Sequence, residues 1–237
     1  MGEILALRAG WAARALALAG FAWLAACTND PEGNQSLGMT RTLFEELRGR
    51  LAKGGAAGKA ATPDPEALAA SAMRSFKGPI VLAQIVNTGG LFALGEYGRN
   101  GDVQTFSTPT EETLVLRRGI LIASRGLGDD LMSSETSTVA ALVLSRGEGS
   151  ARHVYRFLDG EGIERPLPMD CDIRRQGDTA LRFAGTDYRT TEMVESCRHN
   201  GTEITNRYWV TSGGLIALSQ QWISPRMGYV TIQRVRG

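Results

Sequence analysis

The chain has 237 residues, 43% of them hydrophobic and 22% charged, with 26 Lys and Arg against 25 Asp and Glu for a net charge of +1. That balance excludes a nucleic-acid binder, which carries a clustered basic excess, and removes long-range steering toward an acidic polysaccharide. The length suits one large domain with a short preface.

Arg8 and Arg14 open the chain with positive charge, and from Ala15 to Ala26 every residue is apolar or Gly. This matches the apolar stretch of a signal peptide and is too short for a spanning helix, which needs roughly 20 apolar residues. The run ends in Leu24-Ala25-Ala26-Cys27, which resembles the lipobox of bacterial lipoproteins. Residues 1–26 are therefore expected to be cut away, with Cys27 lipidated (palmitate among its acyl chains). Each buried methylene contributes about 0.8 kcal/mol, so several acyl chains hold a protein to a membrane without a transmembrane helix. Thr28, where inner-membrane lipoproteins commonly carry Asp, favours the outer membrane with the protein facing the periplasm. Cleavage leaves 237 − 26 = 211 residues, with 26 − 2 = 24 basic and 25 − 1 = 24 acidic side chains.

Residues 27–36 are polar and rich in turn formers, a lipidated tether. Residues 37–75 form a helical preface. Leu43, Phe44, Leu47 and Leu51 fall at helical spacing, Gly54 to Ala61 is a low-complexity linker, and Asp64-Pro65-Glu66 starts a second helix running to about Ser75. From residue 76 to 237 the texture is that of a β domain. Apolar runs at Ile80–Val86, Leu91–Tyr97, Val103–Phe106, Thr113–Leu116, Ile120–Ala123, Val139–Leu144, His153–Phe157, Leu181–Phe183, Ile204–Val210, Leu215–Trp222 and Tyr229–Val235 are expected strands. Turn formers such as Asn100-Gly101, Asp159-Gly160 and Asn200-Gly201 separate them. With no long helices between strands, the predicted fold is mainly β: an antiparallel meander curled into a barrel-like or half-barrel sheet. It lacks the regular strands and aromatic girdles of an outer-membrane barrel.

Cys171 and Cys197 remain after lipidation and are expected to form a disulfide, because the periplasm is oxidising. Only His153 and His199 stand beside them as further nitrogen ligands, so no metal or cofactor is expected. The segment Ser124 to Met132 contains Gly126, Gly128, Asp129 and Asp130. It reads as a tight turn after a strand, with Gly at positive φ and Asp129 capping the next element. A Ser-His-Asp hydrolase finds no Gly-x-Ser-x-Gly elbow here. A glycosidase using paired carboxylates, among Asp170, Glu192 and Glu195, competes with solvated carboxylates on a strand face. Arg207, Tyr208, Trp209, Gln221 and Trp222 form a candidate face for a sugar or a partner, set against Trp209 and Trp222 as core residues.

The lipobox, Arg125-Gly126-Leu127-Gly128-Asp129-Asp130-Leu131-Met132, Glu195-Ser196-Cys197, Asn206-Arg207-Tyr208-Trp209 and Ser219-Gln220-Gln221-Trp222-Ile223-Ser224-Pro225 follow one another along the chain. Together they resemble the YjbF/GfcB family of lipoproteins, associated with group 4 capsule and exopolysaccharide production, from about Pro79 to the C-terminus. The resemblance implies a mostly β outer-membrane lipoprotein, an accessory of polysaccharide secretion working with other export proteins and possibly with the polysaccharide itself. It carries no catalytic residue, so no enzyme is predicted. A carrier enclosing a lipid or glycan within the curved sheet is the first alternative, and a polysaccharide-modifying hydrolase the second.

Overall fold

A computed structural model describes residues 64–237; the signal peptide, Cys27, the tether, the first expected helix and the Gly/Ala-rich linker lie outside the described residues. Helix α1 (Pro65–Ser75) begins where Asp64 accepts the Glu66 N–H at 3.2 Å. Pro65 sits at its first position, where a missing N–H leaves nothing unsatisfied. Twelve strands follow. The first six are β1 (Ile80–Ile85), β2 (Leu91–Asn100), β3 (Val103–Ser107), β4 (Thr113–Arg117), β5 (Ile120–Arg125) and β6 (Ser133–Glu135). After helix α2 (Ser137–Ser145) come β7 (Gly149–Leu158), β8 (Glu164–Phe183), β9 (Thr186–His199), β10 (Thr202–Thr211), β11 (Ile216–Ser224) and β12 (Gly228–Arg236).

All twelve lie in one antiparallel sheet, ordered β5-β4-β3-β2-β1-β12-β11-β10-β9-β8-β7-β6. Two meanders, β1–β5 and β6–β12, are joined where β1 pairs with β12. The free edges β5 and β6 are consecutive in the chain and lie against one another, so the sheet curls into a nearly closed barrel. The expected fold class is what the chain adopts.

The seam between β5 and β6 is held largely by side chains. The Ser124 N–H donates to the Leu131 carbonyl at 2.9 Å, and the Ser124 hydroxyl accepts the Leu131 N–H at 3.1 Å. Arg125 donates to the carbonyls of Leu131 and Met132 at 3.0 and 3.3 Å. Gly126 and Gly128 take φ of +80° and +98°, a region L side chains rarely enter. Asp130 caps this turn by accepting the N–H groups of Gly126 and Leu127 and the Ser124 hydroxyl, and Asp129 does not cap the next element as expected. Asp129 instead accepts the Arg226 N–H at 3.2 Å, in the turn between β11 and β12.

Two apolar clusters follow from strand alternation. Val81, Ala83 and Ile85 of β1 point inward with Phe106, Leu116, Met169, Ile173 and Met193. Ile80 and Leu82 point outward, where Ala69 and Ala72 of α1 cover them. Strand β1 is thus buried on both faces, which is why its sequence is a nearly unbroken apolar run. Phe76, just past α1, lies so close to β2 that a Cβ on Gly95 would stand 2.2 Å from its ring.

The run Val139–Leu144, an expected strand, is part of helix α2 instead. Val139 and Val143 are one helical turn apart and both fully buried. Arg146, in the left-handed conformation, ends the helix with its N–H on the Leu142 and Val143 carbonyls. Among the described residues no helix is long and apolar enough to cross a membrane.

Gln221 of β11 reaches across the interior to edge strand β5. Its carbonyl oxygen accepts the Leu121 N–H at 2.8 Å, and its amide donates to the Gly119 carbonyl at 3.0 Å. A side-chain amide here supplies what a neighbouring strand would have supplied to the edge. Gln221→Ala is expected to leave a buried donor and acceptor unpaired and to cost about 1–3 kcal/mol. Chemical denaturation measures this, with Gln220→Ala, on the other face, as the near-neutral control.

Candidate functional site

The inward positions of the second meander carry an unusual number of polar side chains. On β9, Met193, Glu195 and Cys197 share one face; on β10, Ile204, Asn206 and Tyr208 do. The register sets Glu195 opposite Asn206 and Cys197 opposite Cys171 of β8. Strand β7 adds His153 and Tyr155, and edge strand β6 adds Ser134.

Glu195, fully buried, is the hub. One carboxylate oxygen lies 2.7 Å from His153 Nδ1 and 3.3 Å from Cys197 Sγ. The other accepts the Asn206 amide at 2.8 Å and the Tyr208 hydroxyl at 2.7 Å. Asn206 also donates to the Tyr155 hydroxyl at 3.0 Å and accepts the backbone N–H of Trp222 at 2.8 Å. His153 Nε2 lies 2.7 Å from Ser134 Oγ, and its ring stacks on Tyr155 with centroids 3.9 Å apart. Trp222 meets the rings of Tyr155 and Phe157 edge-on.

Cys171 and Cys197 are bonded through their sulfurs, as the compartment argument expects. They are directly opposed across β8 and β9, with α-carbons 3.9 Å apart, closer than the 4.4–6.8 Å usual for disulfides. Burial pushes the Glu195 carboxyl upward, but the charge and hydrogen bond of His153, then Asn206 and Tyr208, outweigh it and hold the group below its ordinary value. Burial, then the charge of Glu195, pushes the Tyr155 and Tyr208 hydroxyls well above theirs.

Strand alternation divides the five residues of the candidate contact face. Tyr208, Gln221 and Trp222 are buried, whereas Arg207 and Trp209 lie on the outer side of β10. There Arg207 donates to Glu192 at 2.7 Å, and Trp209 is flanked by Glu192 and Leu218 in register. Glu192 and Glu195 consequently point to opposite faces and do not form a carboxylate pair.

Glu195, His153 and Asn206 form the centre of the site, a role that ligand counting limited to His and Cys does not find. The signal was present: Glu195 shares strand parity with Met193 and Cys197, and Asn206 with Ile204 and Tyr208. A polar residue at inward parity must be buried and paired.

Ser134, His153 and Glu195 also make a hydroxyl–imidazole–carboxylate chain of the kind that activates a nucleophile. His153 is 2% exposed and Ser134 9%. Four candidate ligand atoms, one each from His153, Cys171, Glu195 and Cys197, lie within 4.8 Å of one another.

Removing the Glu195 charge is expected to destabilise the fold. Glu195→Ala strands a buried imidazole, a change of about 3–5 kcal/mol for a broken buried pair. Because the carboxyl is held below its ordinary value in the folded state, its contribution is complete above the normal carboxylate range and disappears as pH falls through the folded value. Denaturant melts between neutral and acid pH should show this loss in wild type and a shallower one in Glu195→Gln.

A family model described as YjbF, group 4 capsule polysaccharide lipoprotein gfcB, matches residues 40–235. The crystal structure of the hypothetical lipoprotein YmcC from Escherichia coli K12 is similar, with TM-score 0.59 and 14% identity, covering 82% of this chain and 96% of that one. At that identity the likeness shows the fold alone. Comparison with curated proteins finds no match.

Proposed function

The chain belongs to the YjbF family of group 4 capsule polysaccharide lipoproteins, and from that premise we propose that it is a non-enzymatic, outer-membrane accessory of capsule or exopolysaccharide export. Family membership is the observation that carries the reading. Cys27 is the proposed acylated residue, and Thr28 supports sorting to the outer membrane, with the barrel facing the periplasm.

The packing of the described residues favours an interaction protein over a carrier. Side chains fill the inner face, and the apolar slot between Ala83, Leu94, Leu114 and Val230 amounts to about 10 Å³. That is space for about one water, whereas ligand pockets run to roughly 300–1,000 Å³; the larger hollows, about 330 Å³ at the β9–β10 turn and about 320 Å³ beside α2, are open clefts outside the curved sheet. The divergence of Glu192 and Glu195 weighs against a hydrolase that uses those two as its carboxylate pair. Contacts with export proteins or with polysaccharide then fall to the outer surface. The strip around Arg207 and Trp209, on the outer side of β10, is our candidate, because it sets a half-buried indole beside a guanidinium 44% exposed.

Two experiments test this. Cys27→Ser should abolish palmitate labelling and leave an unprocessed precursor; unchanged labelling refutes the anchor, and co-sedimentation of wild type with inner-membrane markers refutes the placement. Trp209→Ala should lower polysaccharide export and the recovery of co-purifying envelope proteins at unchanged protein level. Wild-type export and recovery in that variant would remove the proposed contact strip.

A further inference from the structure

The disulfide lies within a set of atoms that suits a metal ion. His153 Nδ1, a Glu195 carboxylate oxygen and the sulfurs of Cys171 and Cys197 fall within 4.8 Å of one another, and all four residues are buried. Two thiolates, an imidazole and a carboxylate match the tetrahedral preference of zinc, with bonds near 2.3 Å to sulfur and 2.0–2.2 Å to nitrogen and oxygen. Donors at those bond lengths stand roughly 3.3–3.8 Å apart around the ion, so His153 Nδ1 and the Glu195 oxygen, hydrogen-bonded at 2.7 Å, must separate to admit it. The oxidised form cannot host it, because the two sulfurs are bonded to each other.

The surroundings supply the outer contacts that a zinc site requires. A coordinated imidazole needs its other nitrogen held, and His153 Nε2 is 2.7 Å from Ser134 Oγ. A coordinated carboxylate needs its free oxygen held, and Asn206 and Tyr208 already donate to that oxygen of Glu195. Ligands and partners together sit on the five neighbouring strands β6 to β10, so the positions are fixed by the sheet and not by a flexible loop.

We propose that Cys171, Cys197, His153 and Glu195 form a redox-gated Zn²⁺ site, closed by the disulfide and opened by its reduction. A dithiol reductant transfers two electrons and two protons to the sulfur–sulfur bond and leaves as its own disulfide, giving two cysteine thiols. Zinc then replaces both thiol protons, which pass to solvent. The metal likewise takes the place of the proton on His153 Nδ1, which passes to solvent, and the proton on Nε2 is donated to Ser134. The barrel wall between β8 and β9 is cross-linked in either state, by sulfur or by metal. This site does not depend on the proposed role in export.

Purified mature lipoprotein in detergent, reduced with a phosphine in denaturant and refolded with Co²⁺ as the zinc probe, tests the inference. One equivalent should give the visible bands of tetrahedral Co²⁺ together with a thiolate charge-transfer band, both bleached by Zn²⁺. The oxidised protein, which folds without metal, should give neither. Cys197→Ser should lose the charge-transfer intensity of one thiolate, and Ser134→Ala should weaken Zn²⁺ binding about 10–100-fold. Zn²⁺ should raise the melting temperature of the reduced protein alone. Equal Co²⁺ binding by oxidised protein overturns the proposal. So does a reduced, refolded protein without thiolate bands, or a failure to regain strand structure even with metal present.

Discussion

A carboxylate at the centre of a barrel is the constraint around which the second meander is built. Placing an unpaired ionised group there would cost several kcal/mol after every relaxation available to a protein. Glu195 avoids that cost because two other strands deliver partners to it, His153 from β7 and Asn206 and Tyr208 from β10, with Cys197 beside it on β9 and Ser134 of β6 behind the histidine. Each partner exists only at one register. A shift of one residue in β9 against β10 would turn Glu195 to solvent and bring Ser196 inward. The network therefore specifies the pairing of the strands as well as stabilising it.

The same logic divides the molecule into two faces with different tasks. Inside, every polar group of this cluster is used by another polar group or by backbone, down to the backbone N–H of Trp222 on Asn206 and the Gln221 amide on edge strand β5. Outside, α1 covers one part of the sheet over Ile80, Leu82 and Val235, and the outer side of β10 presents Arg207 and Trp209. A barrel whose interior is occupied by its own side chains leaves its outer surface for the contacts that the proposed role requires.

Much of this was legible in the residues. Period-two alternation and hairpin turn formers identify an antiparallel meander, and Asp64-Pro65-Glu66 marks the start of α1. The Val139–Leu144 run misleads because a short apolar run has the same signature in a buried strand and in a buried helix. Only the inward pairing of Val139 with Val143, and the left-handed Arg146 that ends the turn, distinguish them. The length of β8 is hidden for the opposite reason. From Glu164 to Phe183 half the residues are polar, because much of that strand is solvent-facing. At the site, the cysteine pair is readable from the expected compartment, and Tyr208 and Trp222 stand out as aromatics in need of a role. Their burial, and the central place of Glu195, depend on which parity faces inward, and the chain reveals that only through the apolar neighbours at 193, 204 and 210.

A buried Ser134–His153–Glu195 chain can be architecture or a nucleophile relay, and one comparison in cells separates them most directly. Polysaccharide export is measured against the amount of folded protein for Ser134→Ala, Glu195→Gln and Arg207→Ala. With the chain as architecture and the outer face as the working surface, the first two variants should export in proportion to the folded protein that remains, and Arg207→Ala should fall below that proportion. An abundant, correctly folded Ser134→Ala protein that supports no export would contradict this and make Ser134 a reacting group.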